Sequence, residues 1–334
     1  MEYNISLKEM NSFHLDCKAE KFMRVKEERD LERLSEYYGK EKIYILGSGS
    51  NTLFVKQHYD GIVARIENKG LRIISENGDN ITVEVSSGQV WNDFVEWACE
   101  NNYSGVENLA AVPSSVGAVP VQNIGAYGSE AKDVIDKVLV YDLEKKEFKY
   151  WTNEDCDFGY RYSKFKYQKG NLVIWKVVFK LQKHFVLNNS YKALKDKLES
   201  SNQTIITPKL VAQTVTEIRN SKLPNPEILG NVGSFFKNPI ITKEQFLRLQ
   251  TLYPNIVAFD DEKGKKISAG WLIEQCGYKG KRIGNVGVYE KQALIVVNYS
   301  NASGKELLDF SNSIIETVKD KFDIILEPEV HIVK

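Results

Sequence analysis

Short apolar runs and period-two alternation dominate the first part of the chain. Lys42–Leu46 (KIYIL), Ile62–Ile66, Leu71–Ser75 and Ile81–Ser86 (ITVEVS) read as strands, the last three divided by Asn-Lys-Gly and Asn-Gly-Asp turns. Arg29–Tyr38 reads as a short helix. In Gln89–Asn101 the spacing changes: Trp91, Phe94, Val95 and Ala98 recur at i, i+3, i+4 and i+7, the signature of an amphipathic helix. Aromatics on such a face belong to a core rather than to a ligand platform.

The pattern then breaks. Leu109–Gly128 (LAAVPSSVGAVPVQNIGAYG) is nearly free of charge and rich in small residues, and Pro113 and Pro120 exclude a regular helix. Small side chains let backbone N–H groups approach a ligand, so this stretch is expected to line one. Strands return at Lys137–Leu143 and Leu172–Leu181, framing Asp157–Ser163 (DFGYRYS). A short helix over Tyr191–Ser200 and a polar linker over Ser201–Gln203 follow. Thr207-Pro208 opens the next helix as N-cap and N1 proline, and Val211, Val215 and Ile218 form its buried edge. Lys222–Pro226 (KLPNP) stops it, and a domain boundary is placed there.

The last third mixes helices and strands. Thr242 with Gln245 predicts a capping box for a helix reaching about Tyr253. Ser268–Cys276 is a short helix ended by Gly277, Ala293–Val297 a buried strand, and Ser303 with Glu306 caps Lys305–Lys319. A final strand is expected over Ile324–Val333, containing Leu326-Glu327-Pro328-Glu329-Val330. In a regular strand Glu327 and Glu329 share a face, so periodicity does not choose between them. The proline implies an edge or a bulge.

Composition narrows the class of protein. The chain has 334 residues, enough for two or three domains, and 45 basic residues balance 45 acidic ones, so no nucleic-acid-gathering face is expected. No apolar run approaches a membrane span, and the start lacks the profile of a signal peptide. Cys17, Cys99, Cys156 and Cys276 are scattered, without metal-site spacing; reduced thiols in a cytoplasmic protein are expected, and no metal.

Three stretches carry candidate chemistry. Gly47-Ser48-Gly49-Ser50-Asn51 follows a strand, as in dinucleotide-binding units, but Thr52-Leu53-Phe54-Val55 opens no helix. What remains is a strand–loop–strand whose N–H groups suit a phosphate nest. Asn231–Pro239 (NVGSFFKNP) presents one hydroxyl, Ser234, on a glycine turn anchored by Phe235 and Phe236, with Lys237 beside it. In the third, Arg161 lies among tyrosines, and its planar fork suits a carboxylate or phosphate.

Together these motifs resemble the UDP-N-acetylenolpyruvoylglucosamine reductase family. They are GSGSN at 47–51, PVQNIGAYG at 120–128, FGYRYS at 158–163, KLPNP at 222–226, GSFFKNP at 233–239, AGWLIEQCG at 269–277 and LEPEV at 326–330. They extend over nearly the whole chain, and the 184–203 insertion with its tyrosine is similar to the longer architectural type of the family. The resemblance implies an α+β protein: a two-part FAD-binding fold of the vanillyl-alcohol-oxidase/PCMH type plus a C-terminal α+β substrate-binding domain. The implied division is 1–67, joined by the C-terminal strand 321–334, then 68–218, then 219–320 for substrate.

The resemblance further implies non-covalent FAD, NADPH as hydride donor, a UDP-N-acetylglucosamine enolpyruvate substrate, and a monomer. Ser234 is then the proton donor to C2 of the enolpyruvyl group, while Arg161 and Glu329 flank the carboxylate. Gly47, Ser48, Gly49, Ser50, Asn51, Ser114, Ser115, Gly117, Asn123 and Gly125 would hold FAD. Tyr160, Tyr191, Lys222, Asn238 and Gln292 would hold the nucleotide sugar, and Lys237 is a candidate to tune Ser234.

One departure stands out: Val112-Pro113-Ser114-Ser115 replaces the family's Ile-Pro-Gly and small residue; a left-handed backbone at Ser114 would be strained, and a conformation accessible to serine is expected instead. Two alternative functions are an FAD oxidase of a small alcohol or sugar on the same fold and a non-catalytic nucleotide-sugar-binding protein. An oxidase has no need of GSFFKNP or LEPEV, and a protein that takes up no FAD would exclude both enzymes.

Overall fold

The computed structural model describes residues 1–166, 170–201 and 203–334. Residue 202 of the expected polar linker therefore lies outside the described residues. By internal packing the chain forms two compact units: Met1–Ile5, Ala19–Ser48 and Asp60–Ser221 make the first, and Ser6–Lys18, Gly49–Tyr59 and Lys222–Lys334 the second.

The first unit is built on two sheets. One has four strands in the order Glu2–Ser6, Lys18–Val25, His58–Ile66, Ile43–Leu46, the last two parallel. The other has five, in the order Glu147–Thr152, Ile135–Asp142, Leu172–Gln182, Asn80–Ser86, Leu71–Asn77, all antiparallel. Leu172–Gln182 is apolar apart from Lys176, Lys180 and Gln182 because this central strand is covered on both faces. On one face Val173 and Trp175 pack with Val25, Ile62 and Ala64 of the four-stranded sheet and with Leu31 and Leu34 of α1 (Glu28–Ser35). On the other, Val177 and Phe179 meet Trp91, Phe94, Val95 and Ala98 of α2 (Trp91–Glu100), Leu194 and Leu198 of α3 (Lys192–Ser200), and Val211, Val215 and Ile218 of α4 (Pro208–Lys222). The α2 aromatics are thus core, as their spacing predicts, and Thr207 Oγ1 accepts the Leu210 N–H at the start of α4.

The strand Glu147–Thr152 is absent from the sequence reading. Its alternation of Phe148 and Tyr150 with Lys149 is a strand signal, weakened because an edge strand leaves much of its surface to solvent.

In the second unit, Gly230–Ser234, Ile295–Asn298, Val286–Val288 and Arg282–Ile283 form a four-stranded sheet, and Ile240–Ile241, Gly264–Ile267 and Ala258–Asp261 a three-stranded one. Three helices join them: α5 (Lys243–Leu252), α6 (Ala269–Gln275) and α7 (Gly304–Phe322). Ser303 and Glu306 make the reciprocal capping box on α7. The box predicted on α5 is only half formed. Thr242 Oγ1 accepts the Gln245 N–H, but Gln245 Nε2 donates to the Asp323 carbonyl beyond the end of α7, where helix carbonyls lack partners.

The predicted final strand also needs correction. Only His331–Val333 pairs as a strand, parallel to Thr52–Phe54, and residues 324–330 run outside any ladder apart from a bridge at Pro328. No described helix is long and apolar enough to cross a membrane.

Candidate active site

Ser234 is aimed by a β-bulge rather than by a turn. Asn231 faces Val297 and Ser234 faces Ile295, so Val232 and Gly233 together oppose the single residue Val296. Gly233 has φ of 72°, and its N–H donates to Asn231 Oδ1 at 2.9 Å. A Cβ at Gly233 would meet nothing within 4 Å, so the glycine serves the left-handed backbone, not close approach. An extra residue in one strand changes which way the next side chain points, and that residue is Ser234. Phe235 and Phe236 follow, 0% and 1% exposed, and fix the end of the bulge by burial. Ser234 itself is only partly buried, and its hydroxyl makes no hydrogen bond to another described residue.

The LEPEV segment docks on this strand end. Phe236 and Pro328 form an antiparallel bridge flanked by two hydrogen bonds, Lys237 N–H to the Glu327 carbonyl (2.9 Å) and Glu329 N–H to the Phe235 carbonyl (2.7 Å). Pro328 thus occupies a non-hydrogen-bonded position, where a missing N–H costs nothing. Burial alternates from Ile324 to Glu327, then slips phase, leaving both Glu329 and Val330 buried. The two glutamates therefore part company. Glu327 is exposed and pairs with Lys237 at 2.5 Å, whereas Glu329 is 8% exposed. The cation of Lys237 is committed to Glu327 instead of standing ready for Ser234. Asn51 completes the anchoring: its Nδ2 donates to the Glu329 carbonyl at 3.3 Å, and its own carbonyl accepts the His331 N–H.

Among the expected substrate residues, Asn238 and Gln292 meet at the beginning of α6. Asn238 Oδ1 accepts the Ala269 N–H at 2.9 Å, and Gln292 Oε1 stands 3.4 Å from where a Gly270 Cβ would be. Lys222 is the exposed last residue of α4.

The first unit holds the remaining candidates. Gly159 and Tyr162 exchange backbone hydrogen bonds, making a two-residue turn with Tyr160 and Arg161 at its tip. Arg161 has φ of 52° at a position where glycine or asparagine is usual. Its Nη2 donates to the Gly125 carbonyl at 2.7 Å, and its guanidinium lies 5.6 Å from the centre of the Tyr160 ring. A Cβ at Gly125 would sit 2.9 Å from Arg161 Nη1, so that glycine leaves room for the guanidinium. Ser163, fully buried, ties the segment down through the Val121 carbonyl at 2.5 Å. Asn123 is also fully buried, and its amide is spent on Glu130, Gly159 and Lys132.

The small-residue loop is pinned from three sides. Trp91 Nε1 donates to the Leu109 carbonyl, Asn92 Oδ1 accepts the Ala111 N–H, and Arg219 Nε donates to the Ala111 carbonyl. Further on, Ser87 and Gln89 carbonyls accept the N–H groups of Gly117 and Val116. A Cβ at Gly47 would fall 2.7 Å from Ser115 Oγ, and one at Gly117 would fall 2.5 Å from the Ser87 Cβ. Gly47 therefore packs directly on Ser115, leaving no room there for a side chain. Gly49, in the second unit, has φ of 71°, and a Cβ there would clash with the Met10 carbonyl. Ser114 is not among the residues with positive φ, and its Oγ donates to the Ser115 carbonyl at 3.0 Å, so serine fits here without strain.

Tyr127 falls within the PVQNIGAYG motif without being singled out there, and Arg219 is absent from the sequence reading. Tyr127, at φ of 50°, lies edge-on to Tyr191 with ring centres 5.0 Å apart. Burial pushes its phenol above the ordinary range, against the opposing charge of Arg219, whose guanidinium is itself pulled down by burial. Ala111, Tyr127 and Arg161 all hold left-handed backbone without the local hydrogen-bonding of Asn or Asp. Strain of this kind gathers at functional sites.

A family model described as the C-terminal domain of UDP-N-acetylenolpyruvoylglucosamine reductase matches residues 225–333, and one described as an FAD binding domain matches 19–145. The UDP-N-acetylenolpyruvoylglucosamine reductase of Flavobacterium johnsoniae is 43% identical, over 100% of this chain and 99% of its own. That of Neisseria gonorrhoeae is 44% identical over 98% of this chain and 96% of its own. The crystal structure of the reductase from Thermus caldophilus superposes with a TM-score of 0.68 at 22% identity, over 99% of this chain and 98% of that one, which shows a shared α+β fold. The chain belongs to the UDP-N-acetylenolpyruvoylglucosamine reductase family.

Proposed function

We propose that the protein is an NADPH-dependent flavoenzyme that reduces the enolpyruvyl group of UDP-N-acetylglucosamine enolpyruvate to give UDP-N-acetylmuramate for peptidoglycan synthesis. The observation that carries this reading is the bulge at Val232-Gly233. It presents the Ser234 hydroxyl one residue before Phe235, whose carbonyl receives the Glu329 N–H. An oxidase has no use for that pairing of an uncommitted hydroxyl with a buried carboxyl segment.

Gly47–Asn51 and the Ser114–Gly117 loop, with Asn123 and Gly125, are assigned to FAD. Bound there, FAD would supply the hydride, drawn from NADPH, that adds to C3 of the substrate alkene. Hydride addition drives negative charge onto the substrate carboxylate. Arg161 neutralises that charge from a side chain already oriented by the Gly125 carbonyl, a form of pre-organised electrostatics. Glu329 assists at the same group, and Ser234 gives its proton to C2. A serine hydroxyl is a weak acid, but it suffices when the acceptor is a strongly basic enolate at hydrogen-bonding distance. Tyr160, Tyr191, Lys222, Asn238 and Gln292 are assigned to the nucleotide sugar. The functional division is 1–67 with 321–334 and 68–218 for the cofactor, and 219–320 for substrate. In this reading the enzyme works as a cytoplasmic monomer.

Anaerobic stopped-flow spectroscopy tests the proposal. The oxidised holoenzyme is reduced with NADPH and then mixed with the enolpyruvyl nucleotide sugar. Reoxidation on the turnover timescale supports the reading; a flavin that stays reduced refutes it.

A further inference from the structure

The tyrosine-bearing insertion is clamped to the PVQNIGAYG segment through one buried amide. Asn108, 2% exposed, donates from Nδ2 to the Tyr127 carbonyl at 2.8 Å and to the Asn188 carbonyl at 2.9 Å. Asn188 returns the contact, its Nδ2 donating to the Gly128 carbonyl and to Ser129 Oγ, both at 3.0 Å. It also accepts the Ser190 hydroxyl at 2.8 Å. Gly128 has φ of 84°, and a Cβ there would lie 2.2 Å from Ser190 Oγ, so Ser190 sits directly on its backbone. From the other side, Leu194 and Leu198 root α3 in the core. Tyr191, the residue before α3, is thereby held between two anchors and meets Tyr127 edge-on, while 43% of its surface stays open.

We propose that Asn108 is a positioning residue for the nucleotide sugar: its amide holds the Tyr127 and Asn188 carbonyls together and so fixes Tyr191 against Tyr127. The inference rests on the reductase reading, in which Tyr191 contacts substrate. Asn108 is buried and is assigned no contact with substrate or flavin. It acts by removing the freedom of the 188–191 loop, so that binding does not bear the cost of ordering it.

The test is steady-state kinetics on holoenzyme carrying Asn108→Ala or Asn188→Ala, each alone and in a Tyr191→Ala background. The single variants are expected to raise KM for the nucleotide sugar about tenfold, the scale of one lost buried anchor, with kcat and FAD content retained. With Tyr191 already removed, neither should raise KM further. An unchanged KM, or a rise that persists in full in the Tyr191→Ala background, overturns the proposal. Asn188 is reached from the surface, so its variant decides the matter if Asn108→Ala does not fold. A wild-type holoenzyme that fails to turn over the nucleotide sugar would overturn the reductase reading and this inference together; normal wild-type turnover with unchanged variants overturns this inference alone.

Discussion

Phe236 and Pro328, 92 positions apart, face each other as a non-hydrogen-bonded antiparallel pair, and this bridge sets the positions of both Ser234 and Glu329. Upstream of Phe236 the strand has just bulged at Gly233; downstream of Pro328 the burial pattern has just changed phase. Two irregularities, locked together by the 2.7 Å bond from the Glu329 N–H to the Phe235 carbonyl, do what two regular strands could not.

Glu327 and Glu329 should differ sharply under the same substitution. Glu327→Gln removes a partly exposed ion pair with Lys237 and should cost about 1 kcal/mol or less, with near-normal turnover. Glu329→Gln should lower the rate of flavin reoxidation by substrate on the order of 100-fold, the scale of one lost transition-state contact. Single-turnover kinetics on both variants decides this; equal effects would contradict the assignment.

Gly233→Ala separates backbone from contact. The added methyl meets no atom, so any loss comes from forcing alanine to a φ of 72°. A destabilisation of about 1 kcal/mol is expected, visible as a fall in Tm of a few degrees. Substrate reduction should fall by much more than that stability change implies, because relief of the bulge turns Ser234 away. FAD content should not change.

The fold was legible in the sequence where an element carried its own signal, and strands such as Lys18–Val25 and Glu147–Thr152 were not read. Trp91, Phe94, Val95 and Ala98 marked a helix face, Ser303 and Glu306 a cap, and Pro113 and Pro120 an irregular loop. The site was legible as motifs but not as geometry. Nothing in NVGS distinguishes a turn from a bulge, because the bulge exists only against Val296 of another strand. The choice between Glu327 and Glu329 needed the bridge to Phe236. Asn108, Tyr127 and Arg219 gave no local signal, since an asparagine that joins Tyr127 to Asn188 spans 19 residues one way and 80 the other.

Glu84 gives a pH-dependent prediction. Burial opposes its charge, but Lys176 and Tyr150 hydrogen bonds and the Arg72 charge outweigh it and hold the carboxyl below its usual range. A depressed folded pKa stabilises the protein above the unfolded value of about 4.3 and is lost as pH falls through the folded value. Glu84→Gln should therefore destabilise at pH 7 by roughly 1–3 kcal/mol, with the gap to wild type closing at acidic pH. Urea titrations at several pH values measure it, and a gap that widens on acidification would refute the argument.

Arg161 combines a demanding backbone with a demanding side chain, and the two can be separated. Its φ of 52° is easy for glycine, so Arg161→Gly should keep or raise stability, by at most about 1 kcal/mol, while removing the guanidinium. Arg161→Lys keeps a cation but loses the planar fork that now spans to the Gly125 carbonyl. If the residue's place on the turn matters only for folding, the glycine variant should be fully active. If the guanidinium neutralises charge that develops on the substrate, both variants should bind FAD normally yet reoxidise slowly with substrate, the glycine variant by about 100-fold or more. The lysine variant should fall between, because a point charge without orientation recovers only part of the stabilisation. The ordering wild type, lysine, glycine in the second half-reaction, against a flat or reversed ordering in Tm, is the result that ties this strained turn to catalysis.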